Sequence, residues 1–184
     1  MRQHLALLFS VFILSTQAAT GPAAKSYDVP DAYYIYATVI AQDVPQGEVL
    51  IADTTVPFHG CLHSRADDAI DSAIEDYKKT NRKKWHLEQR LDPTFYKLLS
   101  AKKIASLRKP GPTGKITWQL PDGTFLYRFS AVGFSADKTV AFLQIEVICG
   151  PRCIGGRNVV LRKGGAHWFP FFDPALCLII PKMK

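Results

Sequence analysis

Apolar positions change their period midway along this chain. In the segments 31–42 and 67–79 they recur every three to four residues, whereas from Lys115 onward they alternate. Tyr33, Tyr36, Ala37 and Ile40 share a helical face and Pro30 stands where a helix can begin, so the spacing predicts a helix over 31–42. The β-branched run Thr38-Val39-Ile40 argues against it. Pro45-Gln46-Gly47 then breaks the chain, and the apolar run 48–56 predicts a strand. A second helix follows. Ser64 can cap it with Asp67 three residues on, Asp67, Asp68 and Asp71 suit its positive end, and Lys78 and Lys79 suit its negative end. Its stripe of Ile70, Ala73, Ile74 and Tyr77 needs a partner, most simply a sheet. Beyond it, 96–99 reads as a short strand or turn, 100–107 as a short capped helix, and Lys109-Pro110-Gly111-Pro112 as a stiff linker.

In the alternating half, Ile116, Trp118 and Leu120 share one face, and Pro121-Asp122-Gly123 supplies turn chemistry. Phe125, Tyr127 and Phe129 then share a face of the next strand. The run 139–148 is apolar at nearly every residue apart from Gln144 and Glu146, which suits a central strand. The segments 157–163 and 166–172 make a hairpin about Gly164-Gly165, and 176–180 adds a last strand. Consecutive strands with short turns predict an α+β fold: an antiparallel sheet of four to six strands, packed on one face by two or three helices.

Residues 1–18 read as a signal peptide, with a short positive start, an apolar core over 5–14 and the small residues Thr16 and Ala18 at the cleavage site. An apolar core of ten residues is half of the roughly twenty that a permanent membrane span takes, so no transmembrane helix is expected in the mature chain. Residues 19–29 read as a disordered leader and 30–184 as a single α+β domain. Arg2 is the one Lys or Arg in the signal segment, so 23 basic residues become 22 against 16 acidic ones, a net charge of +6. A charge of this size is ordinary for a small domain and first serves solubility; as a partner it favours an anionic envelope component or an acidic secreted protein. An exported chain does not meet nucleic acid, so none is expected as a partner.

Four cysteines remain after cleavage, Cys61, Cys149, Cys153 and Cys177. An even count in an oxidising compartment suggests two disulfides with three connectivities open; Cys149–Cys153 and Cys61–Cys177 is the preferred set. The rival reading is thiol redox chemistry. Against it, three residues rather than two separate Cys149 from Cys153, and the context is a strand-to-strand loop without a helix dipole to lower a thiolate pKa. His59, Cys61 and His63 offer a second chemistry, since period two places all three on one face of a strand and their ligand types suit zinc or copper. Cys61 cannot both ligate a metal and close a disulfide. No Gly-x-Ser-x-Gly elbow, His-Glu-x-x-His helix or phosphate-binding glycine loop occurs. Asp53 and Glu146, on strand-like runs, are the carboxylates to inspect for paired acid–base work.

Two basic groupings remain. Lys78, Lys79, Arg82, Lys83 and Lys84 run into Trp85 and His86, a mixture that could grip an anionic polymer or merely end a helix. At the hairpin, Arg152 and Arg157 fall at one end and Arg162, Lys163 and His167 near the other, roughly 20 Å apart at about 3.3 Å per residue. With Trp168 these form a candidate surface for an extended anionic ligand.

The pattern Val132-Gly133-Phe134, a strand, Cys149-Gly150 with Cys153, then Leu161, Lys163, Gly165 and Trp168 resembles a group of uncharacterised bacterial secreted proteins. The tyrosine-rich first helix, the 51–54 strand and the helix leading to Asn81 are similar too. The likeness covers about two thirds of the mature chain, with specific motifs in its last third. The chain departs from that pattern with Arg152 in place of an apolar residue and Ile154 in place of a glycine. The resemblance implies secretion and an α+β fold, and transfers no catalytic residue. The expectation is a disulfide-stapled, secreted or periplasmic binding domain rather than a catalyst; the alternative is a metal or thiol-redox protein.

Overall fold

The computed structural model describes residues 24–43, 47–58, 67–111, 114, 116–150 and 153–171. Among these residues eleven strands and three helices follow in the order β1 (Lys25–Ser26), α1 (Pro30–Asp43), β2 (Glu48–Ala52), α2 (Asp68–Thr80), β3 (Trp85–His86), β4 (Tyr96–Leu99), α3 (Ala101–Ser106), β5 (Arg108–Pro110), β6 (Ile116–Trp118), β7 (Thr124–Phe129), β8 (Gly133–Phe134), β9 (Val140–Gly150), β10 (Cys153–Gly164) and β11 (His167–Phe171). The main sheet has seven strands in the order β11-β10-β9-β7-β2-β4, with β8 pairing the start of β9, ahead of the stretch that β7 pairs. Two small sheets join β1 to β3 and β5 to β6.

The chain is mixed α+β, but the sheet is neither purely antiparallel nor limited to six strands. From β7 to β11 neighbours run antiparallel, whereas β2 lies between β4 and β7 and is parallel to both. Parallel neighbours need a crossover of a dozen or more residues. Here those crossovers carry α2 and β3 on the way to β4, and α3 with the β5–β6 hairpin on the way to β7. The "stiff linker" at Lys109-Pro110 is therefore one strand of that hairpin, with Lys109 opposite Thr117.

Helices cover both faces of the sheet, not one. Successive side chains of a strand point to opposite faces. On β9, Ala141, Leu143 and Ile145 enter the core shared with Ile35, Tyr36, Val39 and Ile40 of α1, while Val140 and Phe142 pack with Ile70, Ala73, Ile74 and Tyr77 of α2. Ile148, on the α2 side, clusters with Leu50, Leu126 and Ile104 of α3. This double burial explains why the 139–148 run carries almost no polar residue. Gln144 is the buried exception; it is held by the Tyr77 hydroxyl at 2.5 Å and by Asn158 at 2.7 Å. Burial pushes the Tyr77 phenol up to about 12.

Thr38-Val39-Ile40 do not break α1, because Val39 and Ile40 are wholly buried and the Thr38 hydroxyl donates to the Tyr34 carbonyl one turn back. Tyr36 stacks on Phe129 at 4.4 Å and its hydroxyl donates to the Ser130 carbonyl. The cap of α2 is Asp67, whose carboxylate accepts from the amides of Ala69 and Ile70 at 2.8 and 3.2 Å; Ser64 lies outside the described residues. Ser100 caps α3, as its position before the helix predicts. Order also begins before residue 30. Tyr27, 2% exposed, packs against Tyr33 and Trp85 and accepts the amide of Val132. A large ring three residues before a helix gives the expected leader something to bury.

Gly133 has a specific reason to be glycine. A Cβ there would sit 2.3 Å from the Ala73 carbonyl oxygen and 2.3 Å from the Tyr77 amide nitrogen, because α2 lies directly on the β8 backbone.

Candidate functional site

The two cysteines at the β9–β10 connection are joined: Cys149 and Cys153 form a disulfide with Cα atoms 5.1 Å apart. They stand at strand ends, not at the start of a helix. Cys61 and Cys177, and the metal-ligand candidates His59, Cys61 and His63, lie outside the described residues. So do the signal segment and the expected 176–180 strand. Among the described residues no three His, Cys, Asp or Glu side chains converge on a possible metal site, and no helix is long and apolar enough to cross a membrane.

The cations of the hairpin have partners within the protein, while Lys163 and His167 stay exposed. Arg157 pairs with Asp43 and Lys163 with Asp31 at 3.0 Å, so the two ends of α1 are tied to β10. Asp31 to Asp43 spans about 18 Å along a helix rising 1.5 Å per residue, close to the roughly 20 Å between Arg157 and Lys163 along the strand. The separation of the two cationic groups is the length of the helix they clamp. Tyr127 also donates to Asp43, at 3.0 Å. His167 is hydrogen-bonded through Nδ1 to the Tyr34 hydroxyl, and Trp168 is 3% exposed in the core, with the Lys163 ammonium 5.3 Å from its ring centre. Arg162 crosses to the other face and pairs with Asp67. Burial works against ionisation of Asp67, but the Ile70 amide and the Arg162 guanidinium outweigh it and hold the carboxyl below its usual range. Arg152 lies outside the described residues.

The basic run that begins in the last turn of α2 divides three ways. Lys78 pairs with Glu75, Lys83 lies 4.0 Å above the Trp85 ring, and Lys84 turns to a cleft.

That cleft, about 360 Å³, opens past the carboxyl end of β2. Its floor is the 53–56 segment, pinned by backbone hydrogen bonds from Asp53 to Leu99, from Thr55 to Trp85 and from Val56 to Phe129. The Thr55 hydroxyl accepts the Trp85 amide at 2.9 Å, and the Thr54 hydroxyl donates to the Asp53 carboxylate at 2.9 Å. One wall is α3, through Ala101, Ile104 and Ala105. The rim is the β5–β6 hairpin, where Arg108 lies opposite Trp118 with its guanidinium 5.4 Å from the indole centre. Arg128 enters from β7 and is paired with Glu146. Of the two carboxylates singled out in the sequence, Glu146 is thus neutralised while Asp53 lines the cleft. In open sheets with parallel strands, ligands characteristically enter beyond the strands' carboxyl ends where connections diverge, and β2 sends its chain toward α2 while α3 arrives from β4.

Sequence reasoning did not name Arg108, read Trp118 only as part of a strand face, and read Lys84 only as part of a basic cluster at a helix end. No local signal marks them, because the cleft is assembled from the 53–56 segment, the β3 approach, α3 and a hairpin. A second hollow of about 440 Å³ lies between α1 and β4, lined by Tyr33, Tyr34 and Tyr96. Its cation, Arg90, is already paired with Asp28 and Glu88.

Comparison with protein-family models, with curated proteins and with solved structures gives no match.

Proposed function

We propose that this chain is a disulfide-stapled binding domain, secreted or periplasmic, that holds a ligand in the cleft beyond β2. One observation carries the reading. Arg90, Arg128, Arg157, Arg162 and Lys163 each have a carboxylate partner, whereas Lys84 and Arg108 line the cleft with none among the described residues. Cations that serve only to hold a fold together are paired within it; cations left at a concave site are available to a ligand. The Cys149–Cys153 bond suits an oxidising compartment, and the likeness of the C-terminal pattern to bacterial secreted proteins points the same way.

The test is native mass spectrometry of the exported protein mixed with a small-molecule extract of the medium or periplasm. A compound retained one-to-one by the native protein and lost from the Lys84→Glu/Arg108→Glu variant supports the reading. A protein that retains nothing, or retains the same compound after both charges are reversed, refutes it. A metal-sized adduct in the same spectra would instead favour the alternative through His59, Cys61 and His63.

A further inference from the structure

The walls of the β2 cleft restrict what can fill it. The side facing α3 is apolar, with Ala101, Ile104 and Ala105 continued by Val56 and the Trp118 ring. The polar groups divide by depth. Thr55 is buried and its hydroxyl already accepts the Trp85 amide, and half-buried Arg128 is taken by Glu146. Lys84 and Arg108 are exposed, and neither has a carboxylate partner among the described residues. The interior therefore provides apolar contact and little hydrogen bonding, while positive charge sits at the rim.

A fully hydrophilic anion such as free phosphate would gain the rim charges but leave the apolar wall unused. An uncharged apolar molecule would use the wall and leave Lys84 and Arg108 to water. Neither matches both halves of the site. A volume of about 360 Å³ is at the small end of the range, roughly 300–1,000 Å³, that small-molecule sites occupy. Asp53 also selects, since its carboxylate lies in the cleft and repels a second negative charge carried deep on the ligand.

Resting on the binding reading above, we infer that the cleft takes a small amphipathic anion with one acidic head. The head lies at the Lys84–Arg108 rim, and the apolar body lies against Ile104, Val56 and Trp118. The Arg108 guanidinium, held over the Trp118 ring, presents its planar fork without first having to be ordered. A carboxylate or a phosphate monoester head satisfies the same fork. A free metabolite and a detached lipid fragment are the two sources of such a molecule.

The probes are octanoate, octyl phosphate, octan-1-ol and inorganic phosphate, each titrated below any micelle-forming concentration against the exported, oxidised protein. Amide NMR reports the site and calorimetry the affinity. Octanoate or octyl phosphate is expected to bind at least about tenfold more tightly than either octan-1-ol or inorganic phosphate, a difference of about 1.4 kcal/mol. Shifts are expected at Thr54, Thr55, Val56 and Ile104. Arg108→Ala and Lys84→Ala are each expected to weaken binding at least about fivefold, and raised salt to weaken it further. Arg82→Ala, outside the cleft, is expected to leave it unchanged. Both charged variants are at exposed positions, so loss of fold does not confuse the result; thermal melts check this.

Inorganic phosphate binding as tightly as octanoate would overturn the amphipathic class while leaving the binding reading intact. Binding of octanoate with shifts elsewhere, or unchanged in Arg108→Ala, overturns the assignment of the cleft. No binding of any probe overturns the inference; if the extract experiment also retains nothing, the binding reading falls with it.

Discussion

Replacing Gly133 by alanine tests how α2 is seated. The new Cβ would meet three backbone atoms of α2, at 2.3, 2.3 and 2.6 Å, where ordinary van der Waals contact begins at 3.4 Å. Backbone of a packed helix cannot rotate aside as a side chain can, so α2 must move by about 1 Å. Such a shift strains several contacts at once. The Phe134 amide donates to Asp76 at 2.9 Å, Asn81 ties the helix end to Ala131, and the Tyr77 ring meets Phe142 edge-on at 5.0 Å. Overpacking costs typically about 1–3 kcal/mol, and the rigidity of both partners places this variant at the upper end, about 3 kcal/mol. For a chain of this size about 1 kcal/mol moves Tm by roughly 2–4 °C, so a fall of about 6–12 °C is expected in a calorimetric melt. Hydrogen exchange should quicken across α2 before it does so across β9. The matched control is Gly155→Ala, where an added Cβ meets nothing within 4 Å; its effect should stay within about 0.5 kcal/mol. If both variants melt alike, α2 does not rest on Gly133 and the packing argument is wrong.

Asn81→Ala removes the donor to the Ala131 carbonyl and the acceptor for the Ala131 amide, both at buried positions. The expected loss is about 3 kcal/mol, because unsatisfied buried polar groups cost about 1–3 kcal/mol each; a denaturant titration showing under about 1 kcal/mol would contradict it. Hydrogen bonds from the Ser135 hydroxyl, the Thr139 hydroxyl and the Thr139 amide hold the Asp137 carboxyl at about 2. A carboxyl depressed in the folded state contributes stability above its ordinary range and loses it as pH falls through about 2. The melting difference between the native protein and Asp137→Asn should therefore narrow as pH drops from about 4 to about 2, and a constant difference would count against the assignment. Reduction of Cys149–Cys153 opens a loop of only a few residues, so Cys149→Ser/Cys153→Ser should lose about 2 kcal/mol in the chain-entropy account; unfolding of the whole domain would show that the bond does more than close the hairpin.

Local sequence signals located α1, α2, α3 and the β10–β11 hairpin, because each is decided by neighbours within a few residues: a capping Ser100, a stripe from Ile70 to Tyr77, a glycine turn. The strand reading also put Cys149 and Cys153 on one strand connection and made theirs the preferred pairing among three, and the structure joins them. The parallel pairs β2–β4 and β2–β7 left no such trace. A strand's sequence records which of its faces are buried, not which distant strand lies beside it, and both partners are reached through long crossovers. Pairing of charges was equally hidden. Arg157 and Lys163 looked like free cations until α1 was laid along β10 and Asp43 and Asp31 came to meet them. The cleft is the clearest case, since Lys84, Arg108 and Trp118 carry no shared motif and acquire their common surroundings only when the crossovers fold over the end of β2.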